Sequence, residues 1–187
     1  MNRKQSLQSL CAAALLIAVG IVIPMFSPVK IVLPTASYTL ASHVAIFIAM
    51  VISPGVAAAV AIGTTAGFLL GGFPIMVVLR AATHLVFALL GAFYIQRTPD
   101  LLASPVRTRV FSLVIGIIHG LCEVVVVTLF FFGGNMDATH GFAYSVLLLV
   151  GAGSIIHSMV DFEIALVVVK ALQKQKSFSA LVSGASL

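Results

Sequence analysis

Six apolar stretches almost free of charge take up most of this chain, at about Leu7–Met25, Thr39–Ile52, Gly55–Leu70, Pro74–Tyr94, Val110–Phe132 and Phe142–Val169. A helix needs about 20 apolar residues to cross the ~30 Å hydrocarbon layer of a bilayer. The pattern therefore predicts an all-α polytopic membrane protein with six transmembrane helices in one domain over residues 1–187. Composition excludes the soluble alternative. The chain is 61% hydrophobic and 8% charged, against about 45–50% and about 25% for a soluble domain. The short loops leave no room for an ATPase or receptor domain.

The second and third runs are short. About 14 residues rise only ~21 Å, so these two runs read either as two spans or as one broken span. Charge separates the counts. With six spans and a cytoplasmic N-terminus, Arg3, Lys4, Arg97, Arg107, Arg109, Lys170, Lys174 and Lys176 lie inside, eight of the ten cations. Five spans would put the Arg-rich linker outside, against the positive-inside tendency. Six spans with both termini cytoplasmic is the expectation. The first run is read as a span and not as a cleaved signal, because no small-x-small site closes it and Pro24 and Pro28 stand where one would lie.

The net charge of +5 reports orientation in such a chain and does not imply a nucleic-acid partner. Cys11 and Cys122 lie inside apolar runs and suggest neither a disulfide nor a metal site.

Two cations remain once topology is assigned. Lys30 falls in the first outside loop, Ser27–Ser37, between Pro28 and Pro34, and reads as a headgroup anchor or a ligand contact. Arg80 lies about 9 Å below the outer end of the fourth span. Intramembrane arginines face a wet cavity or a counter-charge, and the planar guanidinium suits a carboxylate; an ion pair with Glu123 is the structural alternative. His84 follows Arg80 at i+4 on the same helix face. His43, near the outer end of the second span, lies at a similar depth and can converge on Arg80.

His119 and Glu123, and likewise His157 and Asp161, form i, i+4 pairs. No HExxH or Cys/His motif accompanies them, so neither a metal nor any other cofactor is implied. Glu123 can orient Arg80 or take a proton from a ligand, whereas Asp161 and Glu163 are expected near the inner interface. The outside loop Gly133–Gly141 carries Asn135, Asp137 and His140, and Tyr144 opens the last helix. Phe73, in the tight turn between the third and fourth spans, can lid a cavity above Arg80 or serve as an interfacial aromatic.

Ala14 and Ala18 form a small-xxx-small step on the first span, which permits close approach of another helix. With this step, the six-helix pattern, the long first outside loop and the polar outer half, the chain resembles the substrate-binding S components of energy-coupling factor vitamin transporters. The resemblance covers nearly the whole length. It implies a subunit that captures a vitamin from outside under the first, third and fifth loops, here Ser27–Ser37, Gly71–Phe73 and Gly133–Gly141. It also implies that the Ala14/Ala18 face docks on a transmembrane coupling subunit driven by two cytoplasmic ATPases.

The stretches Ile21–Ile31, Thr39–Pro54 and Gly63–His84 look most like the niacin-specific branch; the pantothenate and the pyridoxine or hydroxymethylpyrimidine branches share the architecture. Arg80, with Lys30, would meet the carboxylate of nicotinate, and His43, His84, Asn135 or Tyr144 its ring nitrogen. A stand-alone proton-coupled carrier is the other transport reading, but no duplicated half supports it. A membrane enzyme would need a nucleophile or metal motif, and the sequence has none of the familiar ones.

Overall fold

The computed structural model describes residues 3–33, 35–136 and 139–182. The chain is mostly helical. Helix α1 (Arg3–Phe26) leads into a short hairpin of β1 (Lys30–Val32) and β2 (Ser37–Thr39). Then come α2 (Val44–Ile52), α3 (Pro54–Leu70), α4 (Ile75–Arg97) and α5 (Pro105–Phe132). A π-helical stretch, Ala143–Ala152, continues directly into α6 (Gly153–Leu172), and a single turn, α7 (Lys176–Ser179), follows.

Each apolar run thus becomes a helix, with two differences from expectation. The fold is not purely helical: β1 and β2 pair antiparallel, Lys30 opposite Thr39 and Val32 opposite Ser37. The second helix also begins five residues late, at Val44, because Thr39–His43 turns through a left-handed Ala41 (φ 68°). Within that turn the backbone N–H groups of Ala41 and His43 go to the Asp161 carboxylate, at 2.7 and 2.9 Å.

Helix α2 sits at the centre. All nine of its residues are buried, and α1, α3, α4 and α6 pack around it. A helix apolar on every side is stable only when enclosed in this way. At about 13 Å it is too short to cross a bilayer alone. It is nevertheless separate from α3: Ser53 is extended, its hydroxyl accepts the Val56 N–H at 3.2 Å, and Pro54 fits the first turn, where no donor is needed. Among the described residues, three helices are long and apolar enough to cross a membrane, Gln5–Phe26, Ile75–Arg97 and Pro105–Phe132.

Helix α1 packs on α3 through the glycines of α3. A Cβ on Gly63 would meet Ile17 at 2.5 Å, and one on Gly67 would collide with Ile21. The Gly63-xxx-Gly67 step therefore carries the close approach that small residues allow. Ala14 and Ala18 lie on the other side of α1 and are exposed.

Candidate functional site

Above α2 the bundle opens into a cavity of about 240 Å³. The β1–β2 hairpin forms one wall and the Gly71–Pro74 turn another. Tyr38 ties the hairpin down: its hydroxyl donates to the Leu149 carbonyl at 2.6 Å and lies 3.2 Å from that of Val150. Thr35 Oγ1 donates to the Ser145 carbonyl at 2.9 Å. These acceptors all belong to the π-helical stretch, where wider hydrogen-bond spacing goes with functional sites. Gly153, at the join with α6, leaves room for the tyrosine; a Cβ there would sit 2.6 Å from the hydroxyl.

Arg80, His84, His43, Glu123, Lys30 and Phe73 all line this cavity. Arg80 is 8% exposed. Its Nη2 pairs with Glu123 Oε2 at 2.8 Å, while its Nε has no hydrogen-bond partner among the described residues. One N–H of the fork thus holds the carboxylate and leaves the guanidinium capacity to spare. Glu123 Oε2 also accepts from Ser154 Oγ, and its Oε1 faces His119 Nε2 at 3.3 Å and His84 Nε2 at 3.8 Å. Oε2 is therefore held by two hydrogen bonds, while Oε1 faces the two imidazoles.

His43 and Arg80 converge through this network, because His43 Nε2 lies 3.4 Å from His84 Nε2. Phe73 stacks on Phe68 with centroids 4.7 Å apart and closes the cavity beside α4. Lys30 is exposed at the rim and donates to the Pro24 carbonyl at 3.3 Å.

Asn135 and Tyr144 do not line the cavity. Asn135 is exposed and donates to the Gly133 carbonyl at 3.0 Å; Tyr144 is exposed beside His140. The Asn135 side chain turns back on its own loop here instead of reaching inward. Asp137 lies outside the described residues, as does Pro34.

Asp161 is displaced from its expected place near the inner interface. It is fully buried and pairs with His43 Nδ1 at 3.1 Å and His157 Nε2 at 3.3 Å. The 39–43 turn dips into the bundle and brings its backbone donors to this carboxylate, so Asp161 underlies the cavity. Glu163, two residues on, is exposed.

Tyr38, Ser42, Thr64, Phe68 and His157 also line the cavity and were not singled out as site residues by sequence. Only the His157/Asp161 spacing carried a signal for any of them.

The niacin transporter NiaX of Lactococcus lactis subsp. cremoris (strain MG1363) is 39% identical to this chain over 166 residues, covering 88% of the chain and 74% of the transporter. No family model matches. No solved structure matches either.

Proposed function

The chain belongs to the niacin-type S components of energy-coupling factor transporters, the family of the niacin transporter NiaX, and from that premise we propose that it captures niacin in the cavity beneath the hairpin. The observation that carries this reading is Arg80, a buried guanidinium with unused hydrogen-bonding capacity on the wall of a small cavity. At about 240 Å³ the cavity is smaller than the ~300–1,000 Å³ typical of drug-sized ligands. It suits a single aromatic ring bearing one carboxylate.

In this arrangement the carboxylate meets Arg80 with charge-assisted hydrogen bonds, and Lys30 attracts the anion at the rim. The ring lies near Tyr38, Phe68 and Phe73, and its nitrogen faces His43 or His84. Glu123 orients Arg80. Asn135 and Tyr144 have no place in this first contact set. The hairpin and the Gly71–Pro74 turn cover the ligand once it is bound.

The same reading extends to the rest of the assembly. The chain spans the membrane six times with both termini cytoplasmic, the 39–43 turn and α2 together making the first descent and α3 the return. It forms one domain, performs no catalysis, and docks through the exposed Ala14/Ala18 face on a transmembrane coupling subunit powered by two cytoplasmic ATPases.

Titration calorimetry on the purified protein tests the ligand. Nicotinate should bind at least about fivefold more tightly than nicotinamide, since a hydrogen bond to a charged group contributes about 1 kcal/mol more than a neutral one. Equal affinities would remove Arg80 from the carboxylate, and tight pantothenate binding without nicotinate binding would move the chain to another branch.

A further inference from the structure

Four histidines, one from the start of α2 and one each from α4, α5 and α6, meet beneath the cavity. His43, His84 and His119 each offer a ring nitrogen within 4.8 Å of those of the other two. Their ring centroids are 4.7, 4.7 and 5.0 Å apart, close to the ~5 Å expected of three imidazoles holding one tetrahedral ion at about 2.0–2.1 Å. Ring packing alone also allows such spacings, so the nitrogens decide.

His43 Nδ1 is held by Asp161 Oδ2 at 3.1 Å. With the hydrogen on Nδ1, Nε2 keeps its lone pair and accepts a hydrogen bond from His84 Nε2 at 3.4 Å, the contact that an ion between the two nitrogens would replace. That separation is close to the edge of a tetrahedron about a zinc-sized ion, ~3.3 Å. A carboxylate on the far nitrogen of a ligating imidazole is the usual outer-shell support. His119 is fully buried, and neither of its ring nitrogens has a hydrogen-bond partner among the described residues. Its Nε2 sits 3.3 Å from Glu123 Oε1, without hydrogen-bond geometry. A buried imidazole left in that condition is costly unless something else engages it.

Charge points the same way. With the imidazoles neutral, as ligands must be, Arg80 balances only one of the two buried carboxylates, Glu123 and Asp161. One net negative charge is left inside the bundle, which attracts a cation. The neighbouring trio of His43, His157 and Asp161 also lies close enough for an ion, but its carboxylate and its second imidazole are held by other protein donors. Asp161 accepts from two backbone N–H groups, and His157 Nε2 is 3.0 Å from Ser42 Oγ.

We propose that His43, His84 and His119 form a binding site for a late first-row divalent cation of the Zn²⁺ class, supported by Asp161 behind His43 and by Glu123 beside His119. Imidazole donors favour these metals over Mg²⁺ or Ca²⁺. Three protein ligands would leave a fourth position open, and two of them, His43 and His84, also line the vitamin cavity. Zn²⁺ is therefore tested without vitamin, and failure of that test leaves the ligand reading, carried by Arg80, untouched.

The test uses untagged, purified full-length protein with Zn²⁺ alone and no vitamin. Titration calorimetry and metal analysis after gel filtration should give one Zn²⁺ per chain. His84→Ala and His119→Ala should each weaken binding more than roughly tenfold, while His140→Ala, in the exposed fifth loop, and His157→Ala should leave it within about threefold. Should the cluster variants fail to fold, Co²⁺ on the wild-type protein answers the same question, because four-coordinate nitrogen-rich Co²⁺ absorbs strongly in the visible. Absence of stoichiometric Zn²⁺ binding, weak octahedral Co²⁺ bands, or binding that survives His119→Ala but not His157→Ala would overturn the assignment.

Discussion

Arg80 Nη2 and Glu123 Oε2 lie 2.8 Å apart across α4 and α5, and both side chains are nearly out of contact with solvent. The pair holds two helices together, and under the proposed function the same guanidinium, which lines the cavity, also meets the ligand. Removing one partner strands the other charge inside the bundle.

That coupling sets the outcome of substitution. Arg80→Ala should abolish nicotinate binding and also lower stability by about 3–5 kcal/mol, the consequence of an uncompensated buried charge. Arg80→Ala combined with Glu123→Ala should recover much of the stability and none of the binding. Thermal unfolding in detergent and calorimetry on the two variants check this; binding within threefold of wild type in the double variant would make Arg80 purely structural.

The hairpin over the cavity is fastened by Tyr38 on the carbonyls of Leu149 and Val150. Tyr38→Phe removes that bond while keeping the ring, and should loosen the cover by about 1 kcal/mol, seen as a roughly fivefold faster release of radiolabelled nicotinate. Gly153→Val should have a larger effect, since its Cβ would stand 2.6 Å from the Tyr38 hydroxyl and push the hairpin off its seat. Unchanged release in both variants would mean that the hairpin does not gate the ligand.

Arg80 is legible in the sequence because a guanidinium inside an apolar run has no ordinary surface role. The six apolar runs are legible as helices for the same reason of pattern. What sequence alone does not show is depth. Asp161 reads as a residue near the inner interface until the turn at Ala41 carries two backbone donors down to it, and that turn depends on a left-handed alanine with no sequence signature. The histidine cluster is hidden in a different way: His43, His84, His119 and His157 come from separate helices, and only their packing around α2 brings them together. Asn135 and Tyr144, chosen because they belong to or follow a loop expected over the site, stay outside the cavity, Asn135 on the Gly133 carbonyl and Tyr144 beside His140.

The packing of α1 on α3 depends on Gly63 and Gly67. Replacing either with Leu would drive a branched side chain into Ile17 or Ile21, and overpacking of this kind destabilises by about 1–3 kcal/mol. Thermal unfolding in detergent should show the loss for each variant, whereas Gly72→Ala, in the exposed turn where no neighbour lies within 4 Å, should show only the smaller strain of a left-handed position. Equal stability of the Gly63 and Gly67 variants with wild type would mean that the two helices separate without loss.

Because α3 already supplies the small residues for α1, the small step on α1 itself is not used inside the bundle. Ala14 and Ala18 are exposed, one helical turn apart, with exposed Leu7, Leu10, Leu15 and Val22 on the same helix. Replacing both alanines with Trp should therefore leave the fold and the cavity intact while blocking the close approach of an outside helix. The measurement is paired. Nicotinate affinity of the purified double variant should stay within about twofold of wild type, and uptake in cells supplying the coupling and ATPase subunits should fall to background. Persisting uptake with intact binding would place the docking surface elsewhere on the protein. Loss of both would mean that the alanines support the bundle, contrary to their exposure.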